Sequence, residues 1–103
     1  GLTQAGGMTA ASKMIASAEA ANVKVVVGHG FGLNLSTMAE IMLGATSNNV
    51  LPGLECVGPL KVTDTVTNEQ IDISSGKMTL KEEIGVGMTL NDSKLSKYAL
   101  KPI

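Results

Sequence analysis

Apolar residues recur at helical spacing from residue 9 to 21, run consecutively from 23 to 27, return to helical spacing near 36–45, and alternate after residue 58. The first stripe, Ala11, Met14, Ile15, Ala18 and Ala21, opposes Ser12, Lys13, Ser17 and Glu19. It predicts an amphipathic helix over 9–21, with Thr9 as N-cap and Asn22 closing it. Gly1 to Gly7 reads as the tail of a strand or a βα loop. The second stripe, Met38, Ile41, Met42 and Ala45, predicts a helix near 36–45 capped by Asn34 or Ser36 and ended by Gly44 and Ser47-Asn48-Asn49. Val50-Leu51 and Leu54-Glu55-Cys56-Val57, broken by Pro52-Gly53, give a second apolar strand. Beyond Gly58-Pro59, Leu60, Val62, Ile71 and Ile73 alternate before a turn at Ser74-Ser75-Gly76-Lys77, followed by Met78 and Leu80. This predicts a hairpin-like segment, and Asp92 can cap a short last helix reaching Leu100.

Val25, Val26 and Val27 form an unbroken apolar run, so both faces of this strand should be covered, as in a parallel sheet flanked by helices. Residues 1–58 therefore read as successive α/β units, and 59–103 as a β-rich extension ending in a short helix. Two such strands need more neighbours than these elements supply, so the chain is expected to be part of a longer enzyme and a poor folder alone. An antiparallel pairing of 23–27 with 51–56 would contradict this arrangement.

The chemistry is expected just past the carboxyl end of the first strand. There Gly28, Gly30 and Gly32 open the backbone to a ligand, Phe31 lies between them, and His29 titrates near neutrality. A histidine that only packs or caps the loop is an equal reading of the residues alone. Glu55, amid Leu54, Cys56 and Val57, must be solvated, paired or used at a strand end. Asp72 with Glu69, and Glu82 with Glu83, read as solvated charges.

Composition narrows the partners. Eight basic and nine acidic residues nearly cancel and form no basic cluster, which argues against nucleic acid and anionic membranes. Aromatic residues are 2% of the chain, so the core must come from aliphatic side chains and six methionines. Cys56 has no partner for a disulfide, which fits a reducing, cytoplasmic setting, and no apolar run reaches the ~20 residues of a membrane span. Strand, Gly-His-Gly-Phe-Gly and helix suggest a dinucleotide fingerprint, but Leu33 stands where its third glycine belongs, and no Gly-Lys-Ser/Thr follows for a phosphate loop.

The ordered set Gly6-Gly7-Met8-Thr9, Ala18-Glu19-Ala20-Ala21-Asn22, Val23 to Val27, Gly53-Leu54-Glu55-Cys56-Val57-Gly58-Pro59-Leu60 and Gly85-Val86-Gly87-Met88-Thr89-Leu90-Asn91 resembles the C-terminal part of the enolase superfamily. More narrowly, it is similar to the mandelate racemase and muconate lactonizing enzyme group. The resemblance implies the C-terminal segment of a modified TIM (β/α)₈ barrel followed by a β-rich return to the capping domain, with ligands at the carboxyl ends of the strands.

It further implies a Mg²⁺-dependent isomerase or lyase that abstracts the proton α to a carboxylate and works as a homo-oligomer. His29 would match the general base of the racemase branch, and Glu55 a glutamate that hydrogen-bonds the substrate carboxylate. Gly28, Gly30 and Phe31 would line the substrate. The magnesium ligands would lie outside this chain, and so would the capping loops that select the small carboxylate substrate. A sixth-strand lysine or aspartate of the family would align near Gly1, where this chain has no functional side chain. The competing readings are a small non-catalytic α/β binding module and, less favoured, a dinucleotide-binding domain.

Overall fold

A computed structural model of the protein describes residues 1–28 and 30–101. Among the described residues there are four helices, α1 (Leu2–Ala5), α2 (Met8–Ala20), α3 (Asn34–Ala45) and α4 (Asp92–Tyr98), with a 3₁₀ turn at Gly58–Leu60. The first seven residues are thus not the tail of a strand. Gly6 closes α1 in the left-handed region at φ 93°, and Gly7 follows at φ 105°, which separates α1 from α2 with a backbone only glycine adopts readily. Gly7, rather than Thr9, is the N-cap of α2.

Asn22 closes α2 as the stripe predicts, and it does so from the left-handed region at φ 59°. The amides of Asn22 and Val23 donate to the carbonyls of Glu19 and Ala18 at 2.9 and 2.8 Å, a Schellman closure with asparagine in the usual glycine position. The chain then enters its first extended segment, 23–27.

This segment pairs in parallel with residues 49–55, in agreement with the sequence pattern. Val25 bridges Val50, its amide donates to the Asn49 carbonyl at 3.1 Å, and its carbonyl accepts from Leu51 at 2.8 Å. A regular ladder would next join the amide of residue 53 to the Val27 carbonyl. The Pro52-Gly53 detour delays that bond by two residues, so the Glu55 amide makes it, at 3.2 Å. The pairing therefore amounts to an isolated bridge and its extension.

Ala11 and Ile15 of α2, Ile41 and Leu43 of α3, and Val27, Val50 and Cys56 form one buried cluster, against which Val25, Leu54 and Met78 pack. Val26, between the two inward valines, is 51% exposed. The consecutive apolar run is therefore covered on one face by this chain's own helices, not on both. Of the predicted stripes, Ala11, Ile15, Met38 and Ile41 are buried, whereas Met14, Ala21 and Ala45 are exposed.

The predicted hairpin is replaced by a different pairing. A turn does form, with the Gly76 amide bonded to the Ile73 carbonyl at 2.9 Å. Among the described residues, however, the antiparallel bridge joins Thr67 to Leu90, flanked by bonds from Asn68 to Thr89 and from Asn91 to Val66. Side-chain bonds select this register. Asn34 Nδ2 donates to Thr67 Oγ1 at 3.2 Å and to the Glu69 carbonyl at 3.0 Å, and the Thr89 amide donates to Glu69 Oε2 at 2.7 Å. Glu69 is therefore a paired group rather than a merely solvated one, and the bond from Thr89 lowers its pKa.

At the last helix Asn91, not Asp92, is the cap, accepting from the Lys94 amide at 2.9 Å. Asp64 ties α4 down by accepting from Tyr98 Oη at 2.7 Å and Lys94 Nζ at 2.9 Å.

Candidate active site

The two parallel segments deliver Gly28 and Glu55 to neighbouring positions, because the Glu55 amide is bonded to the residue just before Gly28. A Cβ built on Gly28 would lie 3.8 Å from Glu55 Oε2. Glu55 is exposed, so of the three readings of an acid in an apolar strand, solvation at a strand end describes it. His29, the predicted base, lies outside the described residues; its neighbours in sequence, Gly28 and Gly30, do not.

Two glycines of this turn have a structural role besides the ligand access expected of them. None of Gly28, Gly30 and Gly32 is in the left-handed region; that conformation falls on Phe31, at φ 54°. A Cβ on Gly32 would collide with the Ser36 side chain, and one on Gly30 would meet Glu40 Oε1 at 3.1 Å. Gly30 and Gly32 are thus small so that the turn can lie against the first two turns of α3. Phe31 is 66% exposed.

Helix α3 contributes a group that the sequence pattern did not single out. Glu40 is 1% exposed, and its Oε1 accepts from the Gly30 amide at 3.0 Å. A signal for it does exist: Glu40 is the one charged residue in a helix otherwise built of apolar, small or uncharged polar residues. The same helix is anchored at its start by Asn34, and Thr37 Oγ1 donates to the Gly32 carbonyl at 3.3 Å. Cys56 lies beneath this end of the segments, with its thiol pushed up to about 11, first by burial and then by the nearby Glu40 carboxylate.

Two carboxylates, Glu40 from below and Glu55 from the side, thus flank the turn. Among the described residues no three His, Cys, Asp or Glu side chains converge to hold a metal ion, so these residues do not themselves build a magnesium site. Nor is any helix, among the described residues, long and apolar enough to cross a membrane.

Comparison with known proteins bears on the family and the fold. The family model described as Enolase C-terminal domain-like matches residues 1–94. The chain is 30% identical over 98 residues to chloromuconate cycloisomerase of Cupriavidus pinatubonensis (strain JMP 134 / LMG 1197), covering 95% of this chain and 26% of that protein. It is 30% identical over 97 residues to muconate cycloisomerase 1-1 of Acinetobacter lwoffii, covering 94% and 26%. Among solved structures, N-succinyl Arg/Lys racemase from Bacillus cereus ATCC 14579 superposes with a TM-score of 0.83 at 25% identity, over 93% of this chain and 25% of that one. The chain spans about a quarter of the length of these relatives.

Proposed function

Because the chain belongs to the enolase C-terminal domain-like family, we propose that it supplies the proton-transfer edge of an isomerase acting on a small carboxylate. In this reading His29 removes the proton α to the carboxylate, and the C–H electron pair moves into the carboxylate as an enolate. Glu55, in its protonated form, donates a hydrogen bond to the same carboxylate and fixes its orientation. Delivery of a proton to the opposite face by a second acid, held by residues outside this chain, gives racemisation, and loss of a β-oxygen leaving group as its carboxylate gives the ring-opening direction of a cycloisomerase. Magnesium enters this reading as an ion held by residues outside this chain, and no step above runs through it.

The observation that carries the reading is the parallel pairing of 25–27 with 49–55, which brings Glu55 beside Gly28, next to His29 in sequence. Ligand chemistry at the carboxyl ends of parallel strands is what α/β folds of this kind use. The relatives named above are cycloisomerases and a racemase, which supports isomerisation over the non-catalytic binding module.

The test uses the full-length protein with N-succinyl-arginine and N-succinyl-lysine in deuterated water, following loss of the α-proton by NMR, and with muconate, following its consumption. His29→Asn is expected to abolish exchange, and Glu55→Gln to slow it by about tenfold or more. Wild-type exchange in both variants would overturn the role assignments.

A further inference from the structure

Among the described residues, two that carry side chains stand in the left-handed region, Asn22 and Phe31. Asn22 ends a helix there, as asparagine commonly does. Phe31, at φ 54°, has no such excuse, because a bulky side chain enters this region only at a cost. A phenyl group packed into a core could offset that cost by burial, but this one is 66% exposed. A single exposed apolar side chain is ordinary; one held out at a strained position is not.

Helix α3 holds both neighbours of Phe31. Glu40 Oε1 accepts from the Gly30 amide at 3.0 Å, and Thr37 Oγ1 donates to the Gly32 carbonyl at 3.3 Å. Both of these side chains are withdrawn from solvent, Glu40 at 1% and Thr37 at 0% exposure. A buried carboxylate and a buried hydroxyl are costly unless they are hydrogen-bonded, and here the bonds go to the residues on either side of the strained one. A buried charge, a buried hydroxyl and a strained backbone are thus kept together to hold one phenyl group in solvent.

We propose that Phe31 is a specificity-determining residue: its phenyl group takes the hydrocarbon part of the carboxylate substrate, beyond the carbon that loses the proton. The inference rests on the proposed function, because the ligand must lie at the end of the two segments where Gly28 and Glu55 meet. Phe31 belongs to the turn that leaves this end. Strain of this kind persists where the surroundings over-determine it, and it gathers at ligand clamps. An aromatic ring offers a large apolar surface, so it would discriminate among substrates by how much hydrocarbon they bury against it.

The test gives the full-length protein N-succinyl-leucine and N-succinyl-alanine in deuterated water and compares kcat/KM for loss of the α-proton. The two probes differ only in hydrocarbon. The wild type should prefer the leucyl probe. Phe31→Ala should lose about fivefold or more of that preference, and Phe31→Leu should keep most of it. Phe31→Gly should lose the preference as alanine does, while its urea unfolding midpoint should lie above that of Phe31→Ala, because glycine releases the left-handed strain. A phenylalanine kept only for the fold would leave the preference unchanged and make both variants less stable.

An unchanged preference in Phe31→Ala and Phe31→Gly overturns the proposal, and so does a wild type that shows no preference for the leucyl probe. A Phe31→Gly less stable than Phe31→Ala removes the strain on which the proposal stands and overturns it too. A wild type that exchanges neither probe rejects Phe31 as the selector. If it also leaves N-succinyl-arginine, N-succinyl-lysine and muconate unreacted, the proposed function fails with it.

Discussion

Asn49 grips the backbone around Val23 from inside the core: its Nδ2 donates to the Val23 carbonyl at 2.9 Å, while its own carbonyl accepts from the Val25 amide at 3.1 Å. At 3% exposure it sets where the two extended segments begin to pair, and Ser47 Oγ holds its amide at 3.1 Å. Asn49→Ala removes the bond to the Val23 carbonyl and is expected to cost about 0.5–1.5 kcal/mol in urea unfolding of the full-length protein. Asn49→Asp faces that carbonyl with a carboxylate oxygen and should cost more than alanine.

Gly32 is the position where the turn is least forgiving. A methyl group there meets the Ser36 side chain, whose Cβ is fixed to the helix and cannot swing away. Gly32→Ala should therefore displace the turn and lower kcat/KM by about tenfold or more. Gly53→Ala, where an added Cβ meets nothing within 4 Å, is the matched control and should leave kcat/KM within about twofold.

Cys56 should be a poor nucleophile in the folded protein. With its thiol pushed up to about 11 from an ordinary 9.0, the thiolate fraction at pH 8 falls by about a hundredfold. Iodoacetamide should label it at a rate limited by unfolding, and quickly once denaturant is added. Fast labelling of the native protein would contradict the buried placement.

Asp64 makes the attachment of α4 sensitive to acid. Hydrogen bonds from Tyr98 and then Lys94 hold its carboxyl well below the usual carboxylate range. A depressed folded value means that the stabilisation is fully present above the unfolded value near 3.8 and is lost as pH falls through the folded one. Amide exchange over Asp92–Tyr98, corrected for its intrinsic rate, should stay slow near pH 6 and speed up below about pH 4. Asp64→Asn should speed it at both.

The parallel pairing and the helices on either side of the first segment were legible because aliphatic spacing and the Asn22 stop report directly on them. Less of the turn could be read. Gly28, Gly30 and Gly32 suggest space for a ligand, but the packing of 30 and 32 against α3 could not be read, since glycine permits close approach to any neighbour, including the chain's own helix. Glu40 stayed hidden because acids on helices usually face water, and its single charge becomes informative only once α3 is seen to be buried on several sides. After residue 60, alternation identified extended backbone but not its partner. Register there is chosen by Asn34, Thr67 and Glu69, whose contacts span more than thirty residues in the case of Asn34.

The two-residue detour at Pro52-Gly53 has a consequence of parity. Side chains along extended backbone alternate between faces, so an insertion of two leaves the residue that takes the delayed bond facing as its predecessor would have done. Glu55 inherits the orientation that a regular ladder would have given residue 53, beside Gly28. Related chains can therefore lengthen or shorten this detour in even steps and still present an acid to the turn, whereas a change of one residue would turn the acid to the opposite face and bring Leu54 or Cys56 in its place.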